Sequence, residues 1–316
     1  FVEINVTNSG VRPAAAMLTA LHFHSGVALR THAHFNSTTL NRMQHLAVSA
    51  QQSNLQTIPT DCDQRDERLG WMGDASLSSE SMALNFEMAP FFSWWVRHVV
   101  LPEQRAGALP DVVPFVRYGG RPADVSWSAA LPSVAHAVCD VYGDTETYRE
   151  AASAIAALVD EVGVEARAGL GKMRTPYGDW CPPPARMGKG QGRKPSPPLT
   201  SAFSYALMVQ QAAELARAAG NASEGARYAS LGREIVSNFH TAFYVGNGTF
   251  DTSGTQTANV LGLALGAAPD VGLARRRLLS LLRARRTHYD TGIVGFKFLF
   301  DVLDQAQAHD AALAVL

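Results

Sequence analysis

The chain has 316 residues, 47% of them hydrophobic and 17% charged, enough to bury a sizeable core and too apolar for intrinsic disorder. Its 27 Lys and Arg against 28 Asp and Glu leave a net charge of −1, so no single-sign field exists to recruit nucleic acid or an anionic membrane. No run approaches the roughly 20 apolar residues that cross a bilayer. Three cysteines, Cys62, Cys139 and Cys181, allow one disulfide at most. Sequons at Asn5, Asn36, Asn221 and Asn247 point to an extracellular or secreted glycoprotein.

Taken in chain order, residues 1–36 read as strands. Phe1–Val6 alternates, Ala15–His24 is apolar and extended, and Ala28–Phe35 alternates again. From Ser37 the period changes: Ser37 or Thr38 can cap a helix, and Leu40, Met43, Leu46, Ala47 and Ala50 form a helical stripe. Helices are then predicted over Asp74–Phe86, Met88–Leu101, Ser126–Tyr142, Thr145–Glu161, Thr200–Ala219, Ser223–Phe243, Thr255–Leu265, Val271–Arg285 and Gly292–Asp304, with another from near Ala308. The connections 56–73, 102–125 and 169–199 are long and rich in Pro and Gly, and loops of that length are usually functional or mobile. Antiparallel helix hairpins with long loops fit an α/α toroid or a helical solenoid. The lack of a fixed repeat argues against a regular solenoid. The expectation is a mostly α protein, a β-segment followed by a large helical domain.

The densest polar cluster is Thr60–Asp74, with four aspartates, one glutamate and two arginines in fifteen residues. A charged loop of this kind can be purely structural, a set of solvated ion pairs. Three features favour chemistry instead. The loop joins two largely apolar helices, Gly70 and Gly73 bracket Trp71, and arginines between carboxylates can keep some ionised while another rises into the general-acid range.

The run Pro59-Thr60-Asp61-Cys62-Asp63-Gln64-Arg65-Asp66-Glu67-Arg68-Leu69-Gly70-Trp71-Met72-Gly73-Asp74-Ala75 resembles the catalytic-loop signature of the α-L-rhamnosidases of glycoside hydrolase family 78. Phe1-Val2-Glu3-Ile4, Tyr177-Gly178-Asp179-Trp180, Asp251–Ala258 and Thr291–Gly295 look like further segments of that family. The resemblance implies an (α/α)6 toroid, incomplete in this chain and spanning 37–316, preceded by the terminal strands of a β-sandwich domain in 1–36. It implies an inverting enzyme that removes terminal α-L-rhamnose from rhamnose-containing carbohydrate. No cofactor or metal is expected, and charge and apolar patterning point to no nucleic-acid or membrane partner. The resemblance places Glu67 as the general acid, Asp61 and Asp74 as carboxylates that hold sugar hydroxyls and tune the site, and Arg65 as a substrate contact. Trp71, Trp127 and Trp180 fall at aromatics lining the rhamnose pocket, where an apolar wall suits the methyl group of the sugar.

Two departures stand out. The family commonly carries Trp-Gly-Asp-Ala where this chain has Trp127-Ser128-Ala129-Ala130, so a polar contact near Trp127 is expected to be missing. The general base of the family lies in a Trp-Glu motif downstream of Thr291–Gly295, and no Glu follows Glu234 here. The base is therefore expected beyond Leu316, with the chain a fragment that meets the remainder of its own polypeptide or neighbouring β-domains. The alternative is a non-catalytic carbohydrate-binding or matrix protein on the same fold. Another (α/α)6 hydrolase or lyase is a third reading. Trp94-Trp95 is assigned to core. His22, His24, His32 and His34 are read as solvent-facing rather than metal-binding, and the Arg275–Arg286 run as a solvated helix face.

Overall fold

The computed structural model describes Thr7, Ala14 and residues 19–116, 118–184 and 192–316. The expectations on Asn5, on Phe1–Val6 and on the first part of Ala15–His24 lie outside the described residues. Among those described, the helices are α1 (Thr38–Ser53), α2 (Met72–Asn85), α3 (Ala89–Trp95, continued by a π-turn over Val96–Val100), α4 (Val125–Ser128), α5 (Ala130–Tyr142) and α6 (Glu146–Ala168). They continue with α7 (Pro197–Ala218), α8 (Ala222–Phe243), α9 (Gln256–Ala264), α10 (Val271–Ala284), α11 (Ile293–Gln305) and α12 (His309–Val315). Two short 3-10 turns (Leu101–Glu103 and Leu170–Lys172) and two small antiparallel ribbons complete the set: β1 (Leu55–Gln56) with β2 (Ile58–Pro59), and β3 (Tyr244–Gly246) with β4 (Thr249–Phe250).

The helices begin where local chemistry starts them. Ser37, Asn221, Thr255 and Asp270 each accept a backbone N–H of the turn that follows, which satisfies donors a helix start leaves unpaired. The helix predicted to stop at Glu161 runs on to Ala168. Val162-Gly163-Val164 does not break it because Gly163 lies against α7, where a Cβ would come 2.9 Å from Tyr205 Oη.

Helices α2, α5, α7, α9 and α11 form an inner ring in which each packs on the next, and α11 returns thinly to α2. The pairs α5–α6, α7–α8, α9–α10 and α11–α12 each consist of a ring helix and a following outer one. Burial separates the two layers. In α9 every residue from Gln256 to Leu263 is buried, and α7 is buried on almost all sides, whereas α8 and α10 bury one stripe each: Tyr228, Gly232, Ile235 and Phe239, and Ala274, Leu278 and Leu282. This is the predicted hairpin toroid. A groove of about 630 Å³ runs between α2 and α11, with Leu77, Leu84, Phe296 and Phe300 on its walls.

The N-terminal reading differs from the structure in detail. Residues 19–36 form no strand, only an isolated bridge between Leu29 and Phe86. An alternating segment becomes a ladder only where a partner runs beside it, and here Ser25 N instead donates to Leu55 O and Arg30 N to Asn85 O. The tryptophan pair also divides. Trp95 is fully buried, as expected, but Trp94 is 43% exposed beside His98, because adjacent helical residues cannot both face inward. All three cysteines are free. Among the described residues no helix is long and apolar enough to cross a membrane.

Candidate active site

The N-terminal ends of the ring helices gather at one end of the toroid, and the long loops lie over them. Loop 61–69 is closed by a reciprocal clamp: Asp61 N donates to Leu69 O at 2.9 Å and Leu69 N to Asp61 Oδ1 at 2.8 Å. Cys62 and Arg68 sit in the left-handed region near its two ends, which lets the loop double back. The next three residues zip onto the 102–124 loop: Met72 N donates to Asp111 O, and Val113 N to Gly70 O. Two close approaches fix this corner. A side chain at Gly70 would strike the Val113 carbonyl, and one at Gly73 would strike the Trp127 indole.

Three buried aspartates stitch the remaining loops to this one. Asp111 accepts from Gly120 N, Asp124 N and the Tyr177 hydroxyl at 2.6, 2.8 and 3.0 Å. Asp124 caps α4 through Ser126 N and accepts Tyr177 N at 3.0 Å. Asp179 accepts Gly292 N, Val294 N, Gly295 N and the Thr257 hydroxyl, so it holds the start of α11 against α9 and the 177–181 turn. The described parts of the long loops are thus ordered by side-chain acceptors far away in sequence.

Between them lies a cavity of about 240 Å³, room for one monosaccharide. It is lined by Asp61, Arg65, Glu67, Trp71, Asp74, Trp127 and Trp180, every residue singled out from the sequence, and also by Cys62, Tyr177 and Ile293. Tyr177 is the hub of its aromatic wall, with ring centroids 5.9, 4.7 and 5.7 Å from Trp71, Trp127 and Trp180. Tyr177 and Ile293 lie in the family-like segments Tyr177–Trp180 and Thr291–Gly295 but are not among the residues the sequence singles out. The Trp127 indole N–H is buried with no acceptor. The larger groove between α2 and α11 lacks this concentration of carboxylates and tryptophans.

The carboxylates are electrostatically distinct. Glu67 accepts Trp71 Nε1–H at 2.9 Å and pairs with Arg65 at 2.5 Å. Partial burial works to raise its pKa, but the Trp71, Asp61 and Arg65 interactions outweigh it and hold Glu67 below the usual range. Burial pushes Asp61 up, helped by the neighbouring Glu67 charge, so a proton shared by this pair rests on Asp61. Asp74 opens to the pocket, so water reaches it, yet protein surrounds the carboxyl closely enough for dehydration to dominate. With the Asp61 and Glu67 charges added, its pKa rises to about 6. Burial, then Asp61, pushes the Cys62 thiol to about 11, leaving it protonated and a poor nucleophile. Asp61, Cys62 and Glu67 bring ligand atoms within 4.8 Å of one another, the one grouping among the described residues with metal-binding spacing. Arg65 already supplies a cation there, and the four N-terminal histidines form no such grouping.

Asp74 carries a stability prediction. Its folded pKa of about 6 exceeds the ordinary 3.8, so its stabilising contribution is complete below pH ~4 and is lost as pH rises through 6. Asp74→Asn is expected to match the parent Tm near pH 4 and exceed it by a few degrees near pH 8. Thermal scans across that range check this, and equal Tm values at pH 8 would count against the dehydrated site.

The sequence profile of the bacterial α-L-rhamnosidase six-hairpin glycosidase domain matches residues 32–316. The chain belongs to that family. A curated α-L-rhamnosidase of Streptomyces avermitilis is 28% identical over 318 residues, covering 100% of this chain and 30% of the relative. One from Formosa agariphila is 27% identical over 279 residues, with 88% and 30% covered. Among solved structures, an α-L-rhamnosidase from Dictyoglumus thermophilum superposes with a TM-score of 0.83 at 30% identity, over 93% of this chain and 33% of that one. The Streptomyces avermitilis enzyme complexed with L-rhamnose also gives 0.83, at 27% identity, over 92% and 27%. The chain therefore spans about 30% of the length of the curated relatives it matches. The (α/α)6 assignment of the hairpin toroid follows from the family.

Proposed function

We propose that this chain is the catalytic barrel of an inverting glycosidase that releases terminal α-L-rhamnose. The observation that carries the reading is the single cavity in which Glu67, Asp61, Asp74 and Arg65 face Trp71, Trp127, Tyr177 and Trp180. The aromatic wall takes the methyl group and apolar face of the sugar, and the carboxylates accept its hydroxyls. Glu67 is the general acid. A rhamnoside seated against Arg65 and Trp71 displaces water from Glu67 and favours its protonated form, with Asp61 and Asp74 as adjacent proton donors. Asp61 is too close to Glu67 to be the base, since their oxygens lie within 4.8 Å and an inverting pair stands roughly 6.5–9.5 Å apart. The base is a carboxylate supplied from outside residues 1–316. Secretion with glycans on the exposed Asn36, Asn221 and Asn247 belongs to the same proposal.

The test is calorimetric titration of the chain with L-rhamnose, with D-glucose as control, beside turnover of an aryl α-L-rhamnoside by the protein that contains it. Selective rhamnose binding with turnover supports the reading. Binding without turnover favours the non-catalytic alternative, and absence of both sinks the assignment. A mass unchanged by deglycosylation of the chain made in a glycosylating host would remove the glycan part.

A further inference from the structure

The chain is neutral overall, yet four cations collect beside the pocket on segments continuous with its wall. Arg193 and Lys194 lie a few residues before the start of α7. Lys194 Nζ sits 5.2 Å from the centroid of the Trp180 ring and donates to Tyr177 O at 3.0 Å, so its charge lies directly against two pocket-lining residues. Arg193 donates to Ser253 O. A methyl group placed on Gly254 would lie 3.9 Å from Arg277 Nη2 and 4.0 Å from Arg193 Nη2, so the two guanidiniums flank the same glycine. Arg285 joins them through Asp290, whose buried carboxylate feels both Arg285 and Arg193. Asp290 stands three residues before Ile293 of the pocket wall, and Ile293 N donates to Trp180 O.

These cations are under-neutralised. Among the described residues Arg193, Lys194 and Arg277 form no salt bridge, and Arg285 reaches only Asp290, at 3.8 Å. Asp251 also lies here, its Oδ2 accepting Ser196 N and the Ser253 hydroxyl, so two carboxylates, Asp251 and Asp290, stand against the four cations. The Nε–H groups of Arg277 and Arg285 are shielded from solvent with no acceptor, an arrangement that leaves guanidinium donors unpaired at a cost. The pocket itself holds three carboxylates, Asp61, Glu67 and Asp74, against one cation, Arg65, which is paired with Glu67. An anion would be repelled from the cavity itself and attracted to its rim.

We propose that this cationic rim binds an anionic group, a uronate carboxylate or a sulfate ester, on the sugar to which the rhamnose is attached. The inference rests on the rhamnose reading of the pocket and deepens it by naming the neighbouring residue. The two opposed charge fields orient the ligand: the neutral sugar enters the acidic cavity and the acidic sugar stays outside, against planar guanidiniums suited to carboxylate or sulfate oxygens.

Calorimetric titration of the chain with three α-L-rhamnosyl disaccharides, ending in glucose, glucuronate or a glucose sulfate, tests it. Anionic disaccharides are expected to bind about tenfold tighter than the neutral one at about 20 mM salt, the scale of one charge-assisted arginine pair, and to lose the advantage near 0.5 M salt. A gain confined to glucuronate or to the sulfate supports the rim and names the source of the anion. Arg193→Gln combined with Arg277→Gln is expected to abolish the gain and leave the affinity for the neutral disaccharide unchanged. Equal affinities for neutral and anionic forms, or a gain that survives the double substitution, overturn the rim and leave the rhamnose pocket standing. Failure of the neutral disaccharide to bind overturns both.

Discussion

Glu67→Gln is expected to lower kcat/KM at least about 10²-fold on an aryl α-L-rhamnoside with a poor leaving group, the usual contribution of a positioned general acid. The substitution keeps an oxygen for the Trp71 indole N–H and loses the ion pair with Arg65. That pair involves an Arg65 side chain 61% exposed, so its loss changes stability little. A large rate effect on an intact fold separates proton donation from packing. A leaving group that departs without protonation should recover most of the lost rate, because the missing proton is then not needed. An unchanged kcat/KM with the poor leaving group would remove Glu67 from the acid role. Parallel loss on both substrates would point instead to a binding role beside Arg65.

Much of the fold was legible because it is written locally. The helical period of α1, the cap at Ser37, and the ends of α7 and α9 near Gly220 and Gly266 all act within a turn or two of the residues that carry them, although the apolar stripe of α1 buries no residue. The pocket loop was legible for a similar reason, since Asp61, Arg65, Glu67, Trp71 and Asp74 are contiguous and resemble a known signature. What escaped depends on partners distant in sequence. Asp111 and Tyr177 are 66 residues apart, and Asp179 and Gly295 are 116 apart. Nothing near an isolated aspartate announces which loop it will tie down. Trp94 and Trp95 carry the same local signal, and only the placement of α5 behind α3 decides which is buried. The Arg275–Arg286 run divides in the same way. Arg277 and Arg285 turn toward the 193–194 and 290 segments, while Arg276 lies over Gly272 of its own helix.

The support for the pocket wall leads to the second large effect, on stability. Asp179→Ala removes the acceptor of three backbone N–H groups and one hydroxyl, all buried, and no neighbouring group replaces it. Each orphaned buried donor costs roughly 1–3 kcal/mol, and relaxation recovers part, so a net loss of about 3–5 kcal/mol is expected. For a domain of this size that lowers Tm by roughly 6–15 °C. Asp179→Asn keeps one carbonyl acceptor and should lose about half as much. The same carboxylate fixes the start of α11, where Ile293 N meets Trp180 O and both side chains line the cavity. Rhamnose affinity is therefore expected to fall about tenfold in Asp179→Asn at a temperature where that variant remains folded, through displacement of Trp180 and Ile293. Paired thermal scans and rhamnose titrations measure both effects. A Tm within about 2 °C of the parent for the alanine variant would show that water replaces the carboxylate, and would remove Asp179 from the set of groups that hold the wall.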